Sequence, residues 1–349
     1  MASANACPRT LHVMRTQHLG GDTLCAVADR YTAVKIALKK LGKVPTQIAD
    51  ATAPRFIDRS TWEKVAADKK YSPWFIYDPA PETWAKWELG RSIIDGRAAS
   101  NRRAGKPAMI SLGWILDLHR REMKGLISQP GVFRTEGAAG AAVDHTKSIA
   151  LSDIENLVAS PYRKPDQTPL VDWTISACYE DVPYAVRAAH PKPTLNEQVA
   201  EVAPVTPKIF TDAEGVDREC GYFNYPKPAW IADELAQWEK NINDRTARLA
   251  RGEPIDVLLT ASRAQKWFIS IHPFPDGNGR TSRFIMDYLL ESLGIPPPLL
   301  ANFDRDLLST EADWADEIGR GMLHTLDVLE GCVREPLRGG CAAISKMPE

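Results

Sequence analysis

Apolar positions in "KPAMISLGWILDLHRREMKGL" recur at intervals of three and four residues. Leu112, Ile115, Leu116, His119, Met123 and Leu126 share one face, which predicts an amphipathic helix. The period returns in "AWIADELAQWEKNINDRTARLARG", with Ile231, Leu235, Trp238, Ile242 and Leu249 on one side. "DVLLTASRAQKWFISIH" is apolar nearly all round, as a buried central helix would be. "RTSRFIMDYLLESLG" reads as a helix that stops at Gly294, before three consecutive prolines. A last helical block spans about 311–335, and "DRYTAVKIALKKLGK" and "APETWAKWELGRSIIDGR" are helical pieces nearer the start.

Between these the pattern breaks. "SQPGVFRTEGAAGAAV" is short, glycine-punctuated and non-helical, which suits a small hairpin. Residues 160–228 carry Pro165, Pro169, Pro183, Pro191, Pro193, Pro204 and Pro207, a density that argues for long connections. Trp173, Tyr179, Tyr184, Phe210, Tyr222 and Phe223 are available to anchor them. The expected class is all-α: a helical bundle with a small β-hairpin flap and an N-terminal helical extension. The extension is placed at 1–105, the main domain at 106–330 and a tail at 331–349. Trp74, Trp84 and Trp87 are expected to pack the extension onto the body, and His119 to be a packed helix residue rather than a ligand.

Composition narrows the function classes. The 349 residues are 44% hydrophobic and 25% charged, with net charge −2. That gives a soluble-type chain with no electrostatic footprint for nucleic acid or an anionic membrane. No apolar run approaches the ~18 residues of a membrane span. The opening residues lack a signal-peptide core, and fit equally a disordered leader or a specialised secretion signal. Cys7, Cys25, Cys178, Cys220, Cys332 and Cys341 show no CxxC, which argues against structural zinc. They imply reduced thiols and a cytoplasmic location, with delivery into a host cell by a specialised system as the alternative.

The candidate chemistry lies in "IHPFPDGNGRTSR", residues 271–283. A glycine-rich loop entering a helix presents backbone N–H groups at the positive end of the dipole, a natural phosphate cradle. Gly277 and Gly279 leave room for a ligand, and Asn278 adds an amide donor. Arg280 and Arg283, one turn apart, suit forked contacts to phosphate oxygens. Asp276 supplies a hard oxygen for Mg²⁺, and His272 is the residue type that accepts a proton near neutral pH. Phe274 is expected to plug the core and fix the loop.

"HPFPDGNGRTSR" resembles the signature of the Fic family, HxFx(D/E)GNGRxxR. Eight specified positions would recur by chance in this length with probability on the order of 10⁻⁸. "LHRREMKGLISQPGVFRTEG" is similar to the helix and flap before the Fic core, and "YPKPAWIADELAQWEKNI" to the helix after it. The resemblance covers roughly residues 106–330, and the intact GNG is unlike the phosphorylating Doc branch.

The resemblance implies a Fic-fold bundle and a Mg²⁺-dependent protein adenylyltransferase, which moves AMP from ATP to a Ser, Thr or Tyr hydroxyl of a target protein. His272 would be the base and Asp276 the metal ligand. Phe274, Gly277, Asn278, Gly279, Arg280 and Arg283 would form the nucleotide site. The flap, with Val132, Phe133, Arg134 and Thr135, would dock the target by strand addition, although "TEGAAGAAV" is small in its side chains for a clamp. UMP transfer, phosphocholine transfer, AMP removal and a silent binding module are the alternatives, and a toxin or effector setting is open. Many relatives inhibit themselves through (S/T)xxxE(G/N). Here Glu136, Glu155, Glu214 and Glu330 precede Gly or Asn, but Val132, Leu151, Phe210 and Leu326 stand four earlier. A separate inhibitory partner or target availability is therefore expected to regulate.

Overall fold

The computed structural model describes residues 19, 23–40, 81–182, 208–300 and 303–334. The helices are α1 (Leu24–Lys40), α2 (Pro81–Ala104), α3 (Leu112–Met123), α4 (Leu151–Val158), α5 (Ile231–Ala250), α6 (Val257–Ile271), α7 (Asn278–Ser292) and α8 (Glu311–Arg334). The strands are β1 (Ala139–Ala142), β2 (Ile149–Ala150), β3 (Asp172–Ser176), β4 (Phe210–Thr211) and β5 (Asp217–Asn224). The molecule is mostly helical with one small antiparallel sheet, as the periodicity predicts.

Helix α6 starts at Asp256, whose side chain accepts from Leu259 N at 2.9 Å, and it is buried along nearly its whole length. It packs against α5, α7 and α8. One core cluster joins α1 and α8 to α6 and α7 through Leu24, Tyr31, Leu258, Met286, Leu290 and Trp314. A second joins α2, α3 and α5 to the other side through Ile94, Ile115, Trp238, Phe268 and Phe284. The α6–α7 pair thus lies between two apolar layers, and the loop between them inherits that rigidity. Every α5 position expected on the buried face is buried; Trp238 is fully enclosed and donates its indole N–H to Ala264 O at 2.9 Å. Truncating such a side chain costs about 3–5 kcal/mol.

Helix α2 crosses α7 closely: a Cβ at Gly90 would lie 2.4 Å from the Phe284 ring. Beside that crossing the buried Arg91 guanidinium reaches Asp287, 3.4 Å away, and also bonds Asp95 and Glu291. Leaving Asp287 and Glu291 without Arg91 would strand buried charge, so the contact fixes α2 on α7. Helix α7 ends as predicted, with Gly294 at φ +80 and its N–H on Glu291 O. Trp74 and the side chains of Trp84 and Trp87, expected to pack the extension, lie outside the described residues.

Two expectations fail. The flap strand β1 does not pair within a local hairpin. Its partner is β5, in the register Ala139↔Asn224 to Ala142↔Gly221. β2, β3 and β4 pair with β5 as well, so strands from the proline-rich stretch complete the sheet. Hydrogen bonding, not chain proximity, chooses strand partners, and periodicity carries no record of it. The thiols are not reduced: Cys178 and Cys220, both enclosed, form a disulfide joining the end of β3 to β5, and Cys25 is also disulfide-bonded. Thiol reduction therefore lends no support to a cytoplasmic location. Among the described residues no helix is long and apolar enough to cross a membrane.

Candidate active site

Helix α6 terminates at His272, which adopts the left-handed conformation (φ 50, ψ 59) with its N–H on Phe268 O. Positive φ is uncommon for a residue with a Cβ, though His tolerates it better than most, and it costs on the order of 1 kcal/mol. The turn allows the chain to leave α6 and re-enter α7 only six residues later.

That loop is closed from inside. Asn278 Oδ1 accepts from Phe274 N and its Nδ2 donates to Phe274 O, both at 2.8 Å. Phe274 itself is fully buried, stacked on the His119 ring at 3.6 Å with planes 5° apart. His119 Nδ1 accepts from Gly131 N at 2.8 Å, so its other nitrogen carries the proton and donates to Asp276 O at 2.9 Å. Burial, only partly opposed by the Asp276 carbonyl, lowers the His119 pKa to about 4 and keeps the ring neutral. Helix α3 therefore supports the loop from below, as the packed-face reading of His119 implies. Gly277 is required twice: its φ is +77, and a Cβ would lie 2.8 Å from Met123 Sδ.

These contacts bury Phe274 as the core plug expected of it, and turn the Asn278 side chain inward as well. The Phe274 ring and the Asn278 amide face the protein, not a ligand, and shape the loop. Gly279 does not need positive φ; its missing side chain leaves room for the Arg283 guanidinium, 3.2 Å from where a Cβ would stand. What reaches outward is a shorter list. Gly277 caps α7 without any side-chain hydrogen bond, so the N-terminal amides keep their donor capacity at the positive end of the dipole. Asp276 is exposed and accepts from Gly277 N through Oδ1 at 2.6 Å. Arg280 is half-buried, its Nη1 3.6 Å from Met123 Sδ. Arg283 is buried at 7% exposure on the same face, one turn further.

His272 is half-buried, with its ring Nδ1 enclosed. Burial first, and the Arg134 charge second, lower its pKa to about 4. It is a neutral imidazole over the physiological range, with proton-accepting capacity intact. Tyr225 stacks on it at 3.9 Å with planes 22° apart.

The flap residues divide. Val132 is 48% exposed and Thr135 is exposed, whereas Phe133 packs on Phe274 at 5.9 Å. Arg134, expected to meet a target, is 5% exposed and turned inward. Of the glutamates considered for self-inhibition, Glu330 bonds Arg30 at 3.1 Å, and Glu136, Glu155 and Glu214 are exposed. A separate cluster of His145, Cys178 and Asp181 has ligand-like atoms within 4.8 Å of one another. Its sulfur is held in the disulfide and offers no thiolate.

Sequence reasoning missed Tyr225, Glu122 and Met123. Met123 carried a packing signal only, and Glu122 and Tyr225 carried none that pointed to the site.

Residues 196–290 match the Fic/DOC family model; the chain carries a Fic/DOC family domain. Over 73 residues it is 32% identical to the uridine 5'-monophosphate transferase of Xanthomonas campestris pv. campestris, covering 21% of this chain and 14% of that one. It is 30% identical over 80 residues to the protein adenylyltransferase fic-1 of Caenorhabditis briggsae, covering 23% and 15%. With the protein adenylyltransferase Fic of Aedes aegypti identity is 36% over 75 residues, covering 22% and 14%. The chain thus spans about one seventh of the curated relatives' length. A Fic-domain-containing signalling protein of Bacteroides thetaiotaomicron aligns over 93% of this chain and 97% of its own at 12% identity and TM-score 0.41, too loosely to carry an argument.

Proposed function

We propose that the protein transfers AMP from ATP to a Ser, Thr or Tyr hydroxyl of a target protein. The observation that carries this reading is the pairing of a neutral, half-buried His272 at the end of α6 with the uncapped, arginine-bearing N-terminus of α7. His272 takes the hydroxyl proton as the oxygen attacks the α-phosphorus, and the bond to pyrophosphate breaks. The backbone N–H groups of Gly277, Asn278 and Gly279 donate to the non-bridging oxygens. Arg280 serves the β-phosphate and Arg283 the γ-phosphate. Charge stabilisation and positioning are the main requirements of such a transfer.

Asp276 fits a Mg²⁺ ligand: it is an exposed carboxylate beside the phosphate cradle, the hard-oxygen donor that this ion prefers. Bound there, the ion would neutralise triphosphate charge. Val132 and Thr135 remain the flap side chains open to a target.

UMP transfer is the second reading, favoured by the identity to a uridine 5'-monophosphate transferase. Incubating the chain with a cell lysate and α-labelled ATP or UTP separates the two. His272→Ala is expected to lower labelling ~10²–10⁴-fold, the usual contribution of a general base, while leaving ATP binding intact. Near wild-type labelling by that variant would overturn the mechanism.

A further inference from the structure

A histidine base is ordinarily oriented through its second ring nitrogen, whose hydrogen bond sets both tautomer and ring angle. His272 has that device only weakly: Nδ1 is buried, and among the described residues no partner meets it in good hydrogen-bond geometry. The Ile269 carbonyl, one turn back on α6, offers the ring only a weak backbone hydrogen bond, the smallest of the influences on its pKa. Orientation must come from contact with the ring face and from control of the backbone.

Both come from the sheet and the flap segment that leads into it. The Tyr225 ring lies on the imidazole at 3.9 Å. Tyr225 directly follows β5, and its N–H continues the β1–β5 pairing onto Ala138 O at 3.1 Å. Arg134 controls the backbone. Its Nε donates to His272 O at 2.7 Å, and its other nitrogens donate to Glu136 O and Pro226 O. Its own N–H bonds Pro273 O at 2.9 Å. One inward-turned guanidinium thus joins the residue bearing the base, the flap, and the residue next to Tyr225.

We propose, resting on the nucleotidyl-transfer reading above, that Tyr225 and Arg134 are positioning residues that hold the His272 imidazole in its working orientation from the sheet that carries the flap. Neither touches the phosphate cradle, so their loss leaves ATP binding unchanged and lowers the rate of the transfer step. The tyrosine acts through its ring face, since the π-surface and not the hydroxyl meets the imidazole. A target docked on β1 presses on the same sheet that orients the base.

The test uses the full chain. Transfer from α-labelled ATP into lysate protein is measured at saturating ATP, ATP affinity by calorimetry, and the His272 ring by ¹⁵N-imidazole spectra assigned with His272→Gln among the seven histidines. Tyr225→Leu is expected to lower the rate at least ~10-fold with ATP affinity within ~2-fold, and to shift the His272 signals. Tyr225→Phe is expected to restore both rate and signals. Arg134→Lys, with too few fixed donors for three carbonyls, is expected to behave like Tyr225→Leu. If Tyr225→Leu does not fold, Tyr225→Met serves as the ring-less variant. A wild-type rate without the ring overturns the proposal, as does a rate loss matched by lost ATP affinity. If the wild type transfers no nucleotide, the functional reading fails separately. The imidazole spectra then judge positioning alone, and His272 signals unchanged without the ring overturn it.

Discussion

Glu122 offers a test of the site's electrostatics that does not depend on the reaction. It sits on α3, fully buried, with the Thr281 hydroxyl of α7 donating to Oε1 and with Oε2 lacking a partner. Burial pushes its pKa up from 4.5 to about 7, against the pull of the Thr281 bond and the Arg280 charge. An acid that is weaker folded than unfolded favours the folded state at low pH. That stability is fully present below about 4.5 and is lost as pH rises through about 7. At 1.36 kcal/mol per pKa unit the difference amounts to about 3 kcal/mol. Glu122→Gln keeps the shape and removes the charge. It is expected to be near neutral at pH ~5 and stabilising by up to about 3 kcal/mol at pH ~8. Denaturant unfolding followed by tryptophan fluorescence at both pH values measures this. A variant whose pH dependence tracks wild type within ~1 kcal/mol would refute the burial argument.

Asn278→Ala removes the side-chain partners of Phe274 N and O. At about 1–3 kcal/mol for each stranded buried group it is expected to destabilise by roughly 3 kcal/mol; a loss under ~1 kcal/mol in a urea titration would show that the loop closes by other means. Asp276→Asn can still accept from Gly277 N, so the fold is expected to persist while Mg²⁺-dependent transfer disappears. Undiminished labelling in EDTA would remove Asp276 from the metal site. With His272 held at about 4, the rate is expected to show no acid limb from this residue above pH ~5; a His272-dependent inflection near 6.5 would contradict that lowered value.

Periodicity alone was enough for the helices that frame the site. Its α5 face, the all-round burial of α6 and the stop at Gly294 all appear in the structure, because each depends on neighbours three or four residues apart. The motif was legible for a related reason: a phosphate cradle on a helix N-terminus is a local object, complete within thirteen consecutive residues. Sequence placed Phe274 in the core but could not say which of the other residues face outward. Phe274 and Asn278 point inward because His119, more than a hundred residues earlier, supplies the stacking surface and Asn278 must pair with Phe274 to close the loop. Nor could it pair β1 with β5, link Cys178 to Cys220, or lay Tyr225 on His272. Those contacts join segments far apart in the chain. Their partners are selected by packing and by the need to satisfy buried backbone groups, which only the assembled structure decides.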